Sequence, residues 1–151
     1  MGWTTARDTL VTIIEGTTPT TGARGLPSEF THVPQHTEDT RGNSRTFRFR
    51  LDNLRGVGPL MPSAQTLRSV YEVRLEVDYG TDLEPEELDD AIQQDYLAIR
   101  ARLLDDSLWD RPTSTIELLL PETTPDIMPA TIERDETGAR LVMPFDLEFR
   151  G

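Results

Sequence analysis

The sequence predicts an α+β domain: a mostly antiparallel sheet with two helices packed on one face, and long polar loops. Three observations point there. Residues 47–51 and 71–79 alternate apolar and polar side chains with period two, the mark of half-buried antiparallel strands. Two segments, after Thr5 and after Pro85, repeat apolar residues at helical spacing instead. The resulting order, α-β-β-α-β-β-β with one further strand in the first loop, is that of an α+β fold. A chain of 151 residues suits one domain, here 1–151, burying roughly 70% of its unfolded surface.

The first helix follows Thr5-Ala6-Arg7-Asp8, which has capping-box form, and Ala6, Leu10, Ile13 and Ile14 make its apolar stripe. It should end near Gly16. Residues 17–44 are polar and rich in Gly, Pro and Thr, with strand character only around residues 29–33; a loop this long is functional or ordered by a partner. Phe47, Phe49 and Leu51 then face one way and Arg48 and Arg50 the other. A second loop, 53–69, carries Gly56, Gly58, Pro59 and Pro62, and a long strand from Tyr71 follows it. Pro85 fits the first position of the second helix, and Glu86 and Glu87 complement the positive end of its dipole. Leu88, Ile92, Tyr96, Ile99 and Leu103 form its stripe, and an end near Asp105 or Asp106 is expected. Residues 115–120 read as a strand. Residues 130–134 and 139–150 read as a hairpin about Asp135-Glu136-Thr137-Gly138. Pro144 lacks an N–H for a ladder, which predicts an edge position or a bulge for the last strand.

Composition excludes much chemistry. There is no cysteine, so no disulfide framework, thiol nucleophile or cysteine-bound metal. There is no lysine either: all fifteen basic residues are arginine, which removes phosphate-loop and Schiff-base lysines. His32 and His36 have metal-like spacing but straddle Pro34, and a site would also need Glu29, Glu38 or Asp39; solvated loop histidines are the plainer reading. Gly56-Val57-Gly58 lacks the third glycine of a dinucleotide fingerprint. The acidic doublets at 86–87, 89–90 and 105–106 read as solvated helix surface rather than a catalytic pair. No catalytic, cofactor-binding or metal residues are therefore expected, and the chain is read as a non-enzyme.

The net charge is −12, yet residues 41–76 hold seven arginines against three acids, a local balance of +4 that leaves −16 on the rest. Residues 82–95 hold seven acids and no base. Two readings follow. Arg48, Arg50 and Arg74 pair with glutamates across the outer face of their own sheet, or they meet Glu86, Glu87 and Asp90 of a neighbouring subunit. Sequence-specific DNA binding is disfavoured by the acidity and by the lack of a DNA-reading motif. An acidic wall can still surround DNA without holding it. The arginine-only, acid-rich composition fits a halophilic or GC-rich origin, because at about 1 M salt the Debye length is only about 3 Å and carboxylate repulsion costs little. No apolar run is long enough to span a bilayer, and the start lacks a signal-peptide pattern, so a soluble protein made in a cytoplasm is expected.

Across most of the chain this arrangement resembles the tail-terminator proteins of long-tailed phages and archaeal tailed viruses. The likeness lies in the amphipathic helix from Ala6 to Glu15, the polar insertion over 17–44, and the strand pair at Phe47 and Tyr71. The acidic-start helix from Pro85 and a closing hairpin ending at Phe149 complete it. The resemblance implies a virion structural protein: a homohexamer ring at the neck that caps the tail tube and joins it to the head, with a channel for the genome. Its implied partners are further copies of itself, the tail-tube protein and head–tail connector proteins. It carries over no residue roles. The long first loop leaves room for a sibling role as a tail-completion or head–tail connector protein, and a non-viral soluble adaptor domain is the alternative outside the virion.

Overall fold

The computed structural model describes residues 3–19, 26–27, 29–34, 44–57, 68–80, 84–105, 116–119, 129–136 and 138–150. They comprise α1 (Trp3–Glu15), β1 (Thr31–His32), β2 (Thr46–Val57), β3 (Arg68–Tyr79), α2 (Pro85–Leu103), β4 (Ile116–Leu119), β5 (Thr131–Asp135) and β6 (Gly138–Arg150). The strands form one sheet in the order β1-β2-β3-β6-β4, with β5 also paired to β6. Every pairing is antiparallel except β1 on β2, so the predicted α+β class and antiparallel sheet are what the chain adopts.

Period-two alternation decides which face is buried. Phe47 lies opposite Val77 and Phe49 opposite Leu75, while Leu141, Met143 and Phe145 lie opposite Val77, Leu75 and Val73 from the other side. These side chains form one buried cluster with Ala6, Leu10, Ile13 and Ile14 of α1 and Leu88, Ile92, Ile99 and Leu103 of α2. Both helices therefore cover the same face. Each fully buried Leu, Ile or Phe contributes about 1.5–3 kcal/mol. The aromatic rings meet edge to face, Trp3 on Tyr71 at 5.9 Å and Phe49 on Phe145 at 6.4 Å. At the end of α1, Ile13 C=O accepts from Thr17 Oγ1 (3.2 Å) and from Arg102 Nε of α2 (2.9 Å), so a carbonyl with no helical partner is satisfied and the helices are tied together.

Four expectations need correction. Helix α1 begins at Trp3, so Thr5 lies inside the first turn and not at the cap. The loop expected over 53–69 is strand at both its ends: β2 runs on to Val57 and β3 starts at Arg68, while 58–67 lie outside the described residues. A bulge between Leu51 and Asn53 shifts the register there and breaks the alternation that would have marked the extension. Helix α2 stops at Leu103, and Leu104 N–H donates to Arg100 C=O. The last strand, β6, is not at an edge. It pairs with β3 along its length, and its far side carries β5 opposite residues 138–142 and β4 opposite 146–149. Pro144 sits in the gap between those two ladders, which is how a residue without an N–H fits an interior strand. The strand expected around 29–33 is present as β1.

Gly138 closes the β5–β6 turn with φ 142, and a Cβ there would collide with the carbonyl oxygen of Tyr79 at the end of β3. Only glycine meets both demands. Gly138→Ala is expected to lower stability by about 3 kcal/mol through backbone strain and overpacking. A drop in the urea midpoint at unchanged slope would register it.

Candidate functional site

Three clusters of polar groups stand out among the described residues. The first lies inside the core. Asp95 is on the buried side of α2 and is fully buried, as are Arg45 (2% exposed) and Tyr79. Arg45 donates from Nε to Asp95 Oδ2 and from Nη2 to Asp95 Oδ1, both at 2.9 Å, and Tyr79 Oη donates to Oδ2 at 2.7 Å. Arg45 Nη1 reaches Pro27 C=O at 2.7 Å, and the guanidinium carbon lies 5.7 Å from the centre of the Phe30 ring. The backbone of Arg45 is left-handed, φ 59, and its N–H donates to Asp78 C=O at 2.7 Å. This fork-on-fork pair is the strong form of an ion pair. Burial, then the Asp95 charge and hydrogen bond, raise the Tyr79 phenol well above its ordinary value. Both carboxylate oxygens of Asp95 are engaged, so it is neither a base nor a nucleophile in waiting.

The second place is the sheet face opposite the helices. Arg48 donates from Nη2 to Asp78 Oδ2 at 2.9 Å, and Arg140 from Nε to Asp78 Oδ1 at 2.7 Å. Arg50 bonds Glu76, Arg140 approaches Glu76 at 3.5 Å, and Arg74 lies 3.4 Å from Asp52 and 4.0 Å from Glu76. Arg48, Glu76 and Asp78 are buried. This is the cross-sheet pairing weighed above for Arg48, Arg50 and Arg74. Their partners are on their own sheet, and burial of Arg48 withdraws it from any contact with a neighbour.

The third place is the solvent side of α2. Glu86, Glu87 and Asp90 are exposed there, with Glu84 and Asp89, and Asp89 takes Arg134 of β5. The helix layer separates this row from the arginine ladder, so within one chain the two sets of predicted contact residues lie on opposite sides. An open groove of about 500 Å³ runs along the same helix face, lined by Asp90, Gln93, Gln94, Leu97 and Ala98. Among the described residues its lining holds no histidine, hydroxyl or carboxylate pair.

His32 is half-buried with its ring 5.4 Å from Phe47, and burial followed by the Arg7 charge lowers its pKa from 6.5, so it is uncharged at neutral pH. Glu29 is exposed; His36, Glu38 and Asp39 lie outside the described residues, as do Gly58 and Asp106. Among the described residues no group of histidines and carboxylates is arranged to hold a metal, and no helix is long and apolar enough to cross a membrane.

Sequence reasoning missed Arg45, Tyr79 and Asp95 as a unit, although a signal was present. Asp95 falls on the apolar stripe, three residues after Ile92 and four before Ile99, and an acid in that position needs a buried donor. Arg45 shares the parity of Phe47 and Phe49, which turns it towards the helices.

Asp95→Ala leaves the Arg45 charge buried without its counter-ion and should cost about 3–5 kcal/mol, measured by urea unfolding, whereas Arg45→Met with Asp95→Leu should recover most of that loss. Tyr79 holds its proton more tightly folded than unfolded. Its contribution is therefore complete below about pH 10, the unfolded value, and falls as pH rises beyond it. Tyr79→Phe should flatten the alkaline limb of stability against pH; an unchanged limb would assign that limb to another group.

No protein-family model matches this chain, and no curated protein sequence matches it.

Proposed function

We propose that this chain is a virion structural protein, a tail terminator whose copies form a ring that caps the tail tube, joins it to the head and leaves a channel for DNA. The observation that carries the reading is the segregation of charge between the two faces of the domain. On the sheet face, Arg48, Arg50, Arg74 and Arg140 are set against Asp52, Glu76 and Asp78. On the helix face, Glu84, Glu86, Glu87, Asp89 and Asp90 are exposed, with Arg134 on Asp89. A ring that turns such a row inward presents a negative wall, which repels phosphate and lets the polymer pass without being gripped.

The same layout suits the sibling neck roles, tail completion and head–tail connection, which use the same physics of a ring around DNA. Asp95, bonded by both Arg45 and Tyr79, is sealed in the core and belongs to neither face. The tail-tube protein, connector proteins and further copies of this chain are the partners the reading requires. A virion location follows from it.

Light scattering after size exclusion, at low and molar salt, tests the proposal. The expected mass is about six times 17.1 kDa, with a central channel in images of the particles. A clean monomer at both salts and at high concentration would contradict it and turn attention to an adaptor role.

A further inference from the structure

We propose that copies of this chain join edge to edge, β4 of one copy adding antiparallel to the outer edge of β2 of the next, so that one continuous sheet runs around the assembly. This rests on the ring reading above and names the contact that builds it.

The outer edge of β2 is where the inference starts. Parallel strand β1 covers only its first two residues, Thr46 and Phe47. There the carbonyls of Arg45 and Phe47 point away from β3 and accept from the N–H groups of Thr31 and Val33, each at 2.9 Å. A strand turns alternate residues to alternate neighbours. Beyond Phe47 the same parity places the main-chain groups of Phe49 and Leu51 on the outer edge. The bulge before Asn53 shifts the count by one, which makes Leu54 the next residue turned outward. Its N–H donates to Asn53 Oδ1 at 2.9 Å. The Leu54 side chain is 55% exposed, the most exposed of the large apolar side chains described. Among the described residues no strand pairs with this edge past Phe47.

The occupant follows from topology. At the opposite end of the sheet lies β4, four residues of the sequence Ile-Glu-Leu-Leu, paired on one side only among the described residues. Directions alternate strictly from β2 through β3 and β6 to β4. Rotating a copy about a ring axis preserves those directions, so β4 arrives beside the neighbouring β2 antiparallel to it. The contact is head to tail, the kind that closes into a ring when the rotation divides a full turn. It also covers two edges that have no strand partner among the described residues and would otherwise invite uncontrolled pairing.

The absence of cysteine makes the test clean. Leu54→Cys is prepared in one chain, and Ile116→Cys, Glu117→Cys, Leu118→Cys and Leu119→Cys singly in others. Mixed and oxidised, they should give heterodimers between the Leu54→Cys chain and at least one β4 variant in excess of either homodimer, because a disulfide needs Cα atoms about 4.4–6.8 Å apart. Placing both cysteines in one chain should give a ladder of covalent oligomers ending at the mass of the ring. A ring of the expected mass with no such cross-link, or with homodimers only, overturns the edge contact while the ring reading stands. A monomer at low and molar salt overturns both.

Discussion

The pairing of Arg45 with Asp95 joins distant parts of the chain through one buried cluster. Arg45 stands at the entry to β2, Asp95 in the middle of α2 and Tyr79 at the end of β3, so one charge-assisted cluster fixes the helix against the sheet. Through Nη1 it also reaches Pro27, just ahead of β1. A buried ion pair adds little net stability over a well-packed apolar replacement, since desolvation of both charges offsets their attraction. What it imposes is position. The α2 stripe of Leu88, Ile92, Ile99 and Leu103 could slide by a turn and still meet oil; Asp95 fits only where the fork of Arg45 and the phenol of Tyr79 await it.

The same economy of cations shapes the rest of the molecule. With no lysine, every basic side chain apart from the two histidines is an arginine, and Arg48, Arg50, Arg74 and Arg140 of the sheet face carboxylates of their own chain. Arg48 and Arg140 share Asp78, one oxygen each, and Glu76 is approached by Arg50, Arg74 and Arg140. Planar bidentate chemistry suits arginine to such ladders where an ammonium would not serve. On the solvent side of α2, Glu84, Glu86, Glu87, Asp89 and Asp90 are exposed, with Arg134 on Asp89. That division of charge, one face balanced and one face negative, is what connects a small two-layer fold to a proposed place around DNA.

Much of this was legible in the sequence, and the failures have physical causes. Strand and helix periodicity located the core, because Phe47, Phe49, Leu75 and Leu141 have to share a face whatever the loops do. Charge counting found the arginine-rich stretch and the acidic helix but missed that Asp95 and Arg45 join them inside one chain. An acidic run reads as surface until one member is seen to fall on the apolar stripe. The bulge at Asp52 hid the second half of β2, since alternation that slips by one residue resembles irregular loop. Pro144 points in the sequence to an edge position or a bulge, because a sequence cannot reveal that two short strands share one side of β6 and leave a gap between them. Of the two pairings open to Arg48, Arg50 and Arg74, the one within the chain is with Asp78, Glu76 and Asp52, which spacing alone does not single out.

The central claim is that Arg45 and Asp95 act as a unit in fixing α2 to the sheet. A double-mutant cycle tests it directly: unfolding free energies of the wild type, Arg45→Ala, Asp95→Ala and the double variant at one pH and salt. The account predicts a coupling of about 2 kcal/mol, the double variant losing far less than the two single losses combined. Losses that add to within about 0.5 kcal/mol would show that the two residues contribute independently, and the clamp would not be what holds the helix in register.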